Sequence, residues 1–194
     1  IHKIYNCVKD IHPKPHKTYE GGEIKVLYPA RINNAKRQIE IVNRLKNKLS
    51  DNVKIIFAGT GPHATQLKED IEGDCHFEYL GYRSDILRLL QEYDYMMLFS
   101  KHEGLPITLI ESTMCGIPAI CSKVGGNAEI ISHGINGFVL EKDDWNGLIH
   151  ILNKLSEIES TEYDKMSSKS REVYLRHFTY SQFQKQYCTL LEKL

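Results

Sequence analysis

The 194-residue sequence lacks any apolar run near the roughly 20 residues that a membrane-spanning helix needs, and it does not open on a charged start followed by an apolar block. Neither a bilayer span nor an export signal is expected. It also lacks a charge imbalance: 25 Lys and Arg face 25 Asp and Glu. Nothing overall favours nucleic acid, so any anion affinity must come from local clusters. Cysteine is sparse and odd in number. Cys7, Cys75, Cys115, Cys121 and Cys188 form neither a CxxC pair nor a zinc spacing. Reduced, mostly structural thiols in the cytoplasm are expected.

What is present describes an ordinary globular chain, with 41% apolar and 26% charged residues. The length suits one domain with a full core. Residues 1–22 contain Pro13, Pro15 and the pair Gly21-Gly22 without periodicity and read as a linker. Over residues 23–160, short β-branched runs alternate with segments of helical spacing. Strands are predicted at 24–30, 53–58, 76–80, 95–100, 118–122 and 137–140. Helices are predicted at 36–49, 64–72, 84–91, 107–115, 127–132 and 144–158. This alternation implies an α/β fold, a doubly wound parallel sheet with helices on both faces. Residues 161–194 break it and read as a helical tail of two helices, the second capped by Thr179 or Ser181.

In such a sheet ligands bind beyond the carboxyl ends of the strands, so the loops there carry the chemistry. After the first strand, Arg31 and Lys36 lie five residues apart where a helix begins. They suit a pyrophosphate, or else belong to a solvated basic helix with Arg37, Arg44, Lys46 and Lys48. After the second strand, Gly59-Thr60-Gly61-Pro62 lets backbone pass close to a ligand or simply turns the chain. It lacks the third glycine of a dinucleotide fingerprint, and no acid is placed for an adenosine ribose, which disfavours a nicotinamide enzyme. After the fourth, Glu103 and Glu111 stand eight positions apart across Gly104-Leu105-Pro106-Ile107. Pro106 suits a first helical turn. That spacing either offers two acceptors to two sets of sugar hydroxyls, or gives a helix-start acid and an ordinary ion pair. His102 beside them reads as a loop residue. Gly125-Gly126 and His133-Gly134 read first as tight turns.

In order along the chain, these loops resemble the C-terminal, nucleotide-sugar-binding half of retaining glycosyltransferases of the GT-B fold, glycosyltransferase family 4. Glu103 and Glu111 match its E-x7-E motif, and Ser112-Thr113-Met114-Cys115-Gly116-Ile117-Pro118 is similar to the sequence that follows it. Gly125-Gly126-Asn127-Ala128-Glu129-Ile130, Gly134-Ile135-Asn136-Gly137 and Gly59-Thr60-Gly61-Pro62 resemble its other turns. Ala30-Arg31 with Lys36 resembles its G-R-L-x-x-x-K loop, with alanine in place of glycine. The resemblance implies a Rossmann-like fold and assigns roles. Arg31 and Lys36 would hold the donor diphosphate, Glu103 the transferred sugar and Glu111 the ribose. Gly104, Leu105, Pro106 and Ile107 would lie near sugar and phosphate, with Gly59, Gly61, Tyr82 and Arg83 around the nucleotide.

The donor implied is a UDP-, GDP- or ADP-sugar and the acceptor a glycan or a lipid-linked molecule, with no nucleic acid as partner. No metal and no cofactor is expected, since the D-x-D pattern of metal-dependent sugar transferases is absent and two cations already supply positive charge. Ile4-Tyr5-Asn6-Cys7-Val8 resembles the phrase that closes the N-terminal, acceptor-binding half of these enzymes, so the chain reads as one half of a larger enzyme. A cytoplasmic place, peripheral to the inner face of the membrane in the full-length enzyme, is expected by analogy with makers of surface polysaccharide. The alternatives are a non-catalytic interaction domain of the same fold, against which the intact Arg31, Lys36, Glu103 and Glu111 argue, and a related sugar epimerase, separable by its product.

Overall fold

The computed structural model describes residues 4–13 and 22–192. Six strands form one sheet: β1 (Ile24–Pro29), β2 (Val53–Ala58), β3 (Phe77–Tyr79), β4 (Tyr95–Leu98), β5 (Ala119–Ser122) and β6 (Gly137–Leu140). All pairings are parallel and the order is β3-β2-β1-β4-β5-β6. This is the doubly wound, Rossmann-like sheet expected from the alternation. The central strands are apolar almost throughout because helices cover both faces. Val26, Leu27 and Tyr28 of β1 and Tyr95 to Leu98 of β4 are fully buried.

Six helices connect or follow the strands: α1 (Gln38–Leu45), α2 (Ala64–Asp70), α3 (Ile86–Leu90), α4 (Ile107–Cys115), α5 (Asn127–Ile130) and α6 (Trp145–Lys154). Most are shorter than the periodicity predicts. The helix expected from Lys36 begins at Gln38 because Arg37 adopts a left-handed backbone, φ 63°, which no α-helix contains. The helix expected to run to residue 158 tightens into a 3-10 turn at Leu155–Glu157.

The tail is α7 (Ser160–His177) and α8 (Tyr180–Leu191), with Thr179 as the cap of α8, its side chain accepting from the Gln182 amide. The α7 helix is sewn to the sheet. The Tyr163 hydroxyl donates to the Asp94 carbonyl, that of Ser170 to the Asn136 carbonyl, and Arg171 to the Met114 carbonyl. The α8 helix buries none of its residues and leaves Tyr180, Tyr187 and Leu191 exposed. Residues 4–13 lie against α7: the Val8 amide donates to the Phe178 carbonyl, the Tyr174 hydroxyl to the Val8 carbonyl, and Arg171 pairs with Asp10. The rest of the segment read as a linker, 1–3 and 14–21, lies outside the described residues.

Strand order reverses between β1 and β4, whose connections leave toward opposite sides of the sheet. A crevice therefore opens at the carboxyl ends of these two strands. The loops carrying Arg31, Lys36, Glu103 and the start of α4 converge there.

Candidate functional site

A cleft of about 960 Å³ occupies this edge. Pro29, Ala30 and Arg31 form one wall, Ala58 to Pro62 a second, Tyr82 to Ser84 with Ile86 and Leu87 a third, and Thr108 and Glu111 of α4 a fourth. The cleft thus gathers Arg31, Gly59, Gly61, Tyr82, Arg83 and Glu111 from four separate segments. Gly59 has φ 143°, and a Cβ there would come within 2.1 Å of the Ala30 carbonyl oxygen; one on Gly61 would meet that of Ile32 at 2.2 Å. These glycines let two neighbouring loops pack closely, and their backbone then borders the cavity.

Glu111 is half-buried on α4. Burial pushes its carboxyl above the ordinary value of 4.5, and it makes no hydrogen bond or ion pair among the described residues. A desolvated carboxylate facing a cavity is a strong acceptor for hydroxyl donors. Arg31 is exposed at the rim and pairs with no carboxylate among the described residues; its carbonyl accepts from the Gln38 amide group at 3.1 Å. The exposed Tyr82 ring stands beside Arg83, which forks onto both oxygens of Asp85 at 2.8 and 2.7 Å and holds that carboxyl well below the usual range.

Lys36 and Glu103 do not line this cleft. They pair with each other beside it, Nζ to Oε1 at 2.5 Å, with 22% and 7% of their side chains exposed. The turn carrying Lys36 is tightly specified. Its amide donates to the side chain of Asn33, its carbonyl accepts from the buried Tyr28 hydroxyl at 2.6 Å, and the Lys101 amide binds the Ala35 carbonyl. The Glu103 loop leans on the glycine pair after β5. A Cβ at Gly125 (φ 52°) would meet the Glu103 carbonyl oxygen at 2.1 Å, and the Gly126 amide donates to the Gly104 carbonyl at 2.6 Å. Gly104 and Ile107 are exposed, Leu105 packs on Gly126, and Pro106 precedes the first turn of α4 rather than lying in it. His102 is exposed.

Sequence reasoning missed the apolar wall of Ile86 and Leu87, the contribution of Thr108, and the state of Arg37. Grouped with a solvated basic helix as one reading, Arg37 is in fact buried: its partners Lys142 and Asp143 are 105 and 106 residues away, so no local pattern announces them. Among the described residues, one group of three potential metal-ligating side chains has ligand atoms within 4.8 Å of one another: Asp74, Cys75 and His76. It precedes β3, at the opposite edge from the cleft.

The model of the family described as "Glycosyl transferases group 1" matches residues 9–173. Among curated relatives, the N-acetyl-alpha-D-glucosaminyl L-malate synthase of Bacillus anthracis is 26% identical over 169 residues, 85% of this chain and 44% of that protein. The UDP-Gal:alpha-D-GlcNAc-diphosphoundecaprenol alpha-1,3-galactosyltransferase of Escherichia coli is 27% identical over 58% of this chain and 30% of its own length. The chain thus spans less than half the length of these relatives. Among solved structures, HepE of Anabaena in complex with UDP superposes with a TM-score of 0.80 at 22% identity, over 89% of this chain and 50% of that one. The C-terminal domain of a group 1 glycosyl transferase from Francisella tularensis gives 0.72 at 17% identity, over 89% and 99%.

Proposed function

Because the chain belongs to the group 1 glycosyl transferase family, we propose that it is the donor-binding half of a retaining glycosyltransferase that moves a hexosyl group from a nucleoside diphosphate to a glycan or lipid-linked acceptor. The observation that carries this reading is the cleft at the reversal of strand order, where a half-buried carboxylate on α4 and a guanidinium, neither paired among the described residues, share one cavity. Ribose hydroxyls are donors of the kind the Glu111 carboxylate lacks. The wall of Ile86 and Leu87, with the exposed Tyr82 ring, offers an apolar face to a base.

With the ribose at Glu111, the diphosphate runs toward Arg31 and the sugar toward the Lys36–Glu103 pair. As the glycosidic bond breaks, charge grows on the departing phosphate oxygen. Arg31 and Lys36 oppose that charge in a partly desolvated setting, which lowers the barrier electrostatically. Lys36 meets the sugar-proximal phosphate, and Glu103, relieved of its partner, accepts from hydroxyls of the transferred sugar. Its task is orientation of the anomeric carbon. Retention of configuration is what the E-x7-E resemblance implies. The acceptor and any proton acceptor would come from an N-terminal half across the cleft. We place the full-length enzyme at the cytoplasmic face of a membrane, in polysaccharide or glycolipid biosynthesis. Among the described residues no helix is long and apolar enough to cross one.

Calorimetric titration of the chain with UDP, GDP and ADP tests the reading. Binding of at least one, weakened roughly tenfold by Arg31→Ala as expected for loss of a charged hydrogen-bonding partner, supports it. No binding of any of the three at millimolar concentration contradicts it.

A further inference from the structure

The chain enters α1 through Arg37, whose φ of 63° is a left-handed conformation that a long side chain adopts at a cost. Its side chain is 1% exposed, which is unusual for a guanidinium. Four of its five N–H donors are engaged. Nε and one terminal nitrogen reach the two Glu40 oxygens at 2.9 and 3.1 Å, the other terminal nitrogen reaches the Lys142 carbonyl at 2.6 Å, and Asp143 Oδ1 accepts at 2.9 Å. The guanidinium also lies 4.3 Å from the Trp145 ring centroid and 5.5 Å from that of Phe99. Charge, planarity and fork are all engaged, a combination lysine cannot reproduce.

This clamp joins three parts of the chain: the turn before α1, Phe99 just after β4, and the loop from β6 into Trp145 of α6. The residue it fixes is adjacent to Lys36. The Tyr28 hydroxyl holds the Lys36 carbonyl from the core side, and Arg37 holds the next residue from the other. Glu40 reaches onward to Lys101 Nζ at 3.5 Å, and the Lys101 amide binds Ala35, which ties the Lys36 turn to the loop bearing Glu103.

We propose that Arg37 is a positioning residue for donor binding: its buried guanidinium, clamped between Trp145 and the acceptors of the loop after β6, locks the left-handed turn that aims the Lys36 ammonium at the sugar-proximal phosphate. The inference rests on the reading of Lys36 given above and adds a residue that touches no donor atom. A merely structural role would weaken every nucleotide alike. A positioning role removes the advantage of a second phosphate alone.

The test measures affinities of UDP, UMP, GDP and GMP for the unmodified chain and for Arg37→Gly, Arg37→Lys and Asp143→Asn, with thermal melts alongside. Glycine accepts φ 63° and lacks the guanidinium; lysine keeps the charge and loses the fork. The diphosphate-over-monophosphate ratio is expected to fall about tenfold in both Arg37 variants and about threefold in Asp143→Asn, with monophosphate affinity unchanged, as loss of one aimed charged contact predicts. Should Arg37→Gly fail to fold, the ratios of the other two decide. An unchanged ratio, or equal weakening of mono- and diphosphates, overturns the inference while leaving the donor site intact. An unmodified chain that binds nucleotides with no preference for diphosphates removes the Lys36 reading, and this inference with it.

Discussion

Lys36 Nζ lies 2.5 Å from Glu103 Oε1, so the cation after β1 and the carboxylate after β4 neutralise one another across the point where strand order reverses. Each was expected to face a different part of one ligand. Their pairing makes the two loops one unit, and a donor that engages either must rearrange both.

The pair is coupled in stability. Lys36→Met and Glu103→Gln are each expected to destabilise by about 1 to 3 kcal/mol, because each leaves a partly buried charge without its counterpart. The double variant should fall short of the sum by about 1 kcal/mol or more. Denaturant titration of the four proteins measures the coupling; additive losses would show the contact to be energetically idle.

Glu111 gives a signed dependence on pH. Burial raises its folded pKa above the unfolded value, so the proton binds more tightly in the folded chain. The resulting stabilisation is present below the unfolded carboxylate pKa and is lost as pH rises through the raised folded one. Glu111→Gln should therefore melt higher than the unmodified chain at pH 7, with the advantage vanishing below about pH 4. The same variant should lose roughly tenfold in nucleoside diphosphate affinity, because a charged acceptor is replaced by a neutral amide. Higher stability with weaker binding is the combined outcome to look for.

Gly125 supports the Glu103 loop through shape. With φ 52° and a Cβ destined to lie 2.1 Å from the Glu103 carbonyl oxygen, Gly125→Ala must shift backbone. A loss of about 2 kcal/mol or more is expected, read from the denaturation midpoint. Gly73→Ala, which also has positive φ but meets nothing within 4 Å, serves as the control for backbone strain alone.

Thiol reactivity separates four of the five cysteines. Cys115 and Cys121 are buried and their thiols pushed up to about 12 by that burial, whereas Cys75 and Cys188 are exposed. An aromatic disulfide reagent at pH 8 should modify Cys75 and Cys188 rapidly, and Cys115 and Cys121 only on unfolding. Rapid reaction of Cys121 in the folded chain would contradict the packing of β5.

The sheet was legible because buried parallel strands announce themselves as apolar runs, and Gly137–Leu140 and Ile107–Cys115 appear with the predicted bounds. The placing of Arg31 and the Gly59–Gly61 turn on one edge followed from their positions just after strands, and that of Glu111 from its place in the helix after β4. Two features were not legible. The late start of α1 at Gln38 depends on a left-handed Arg37 whose side chain is held by distant Lys142 and Asp143 as well as by Glu40, and the Lys36–Glu103 pair joins residues 67 positions apart. Spacing along a chain shows which strand end a side chain occupies but not whether it meets a ligand or a neighbour there.

The most direct measurement is a crystal structure of the chain with UDP or GDP bound. The account predicts the ribose hydroxyls within hydrogen-bond reach of the Glu111 carboxylate, and the two phosphates against Arg31 and Lys36. A nucleotide seated outside the β1–β4 crevice, or with its phosphates turned away from both cations, would contradict it.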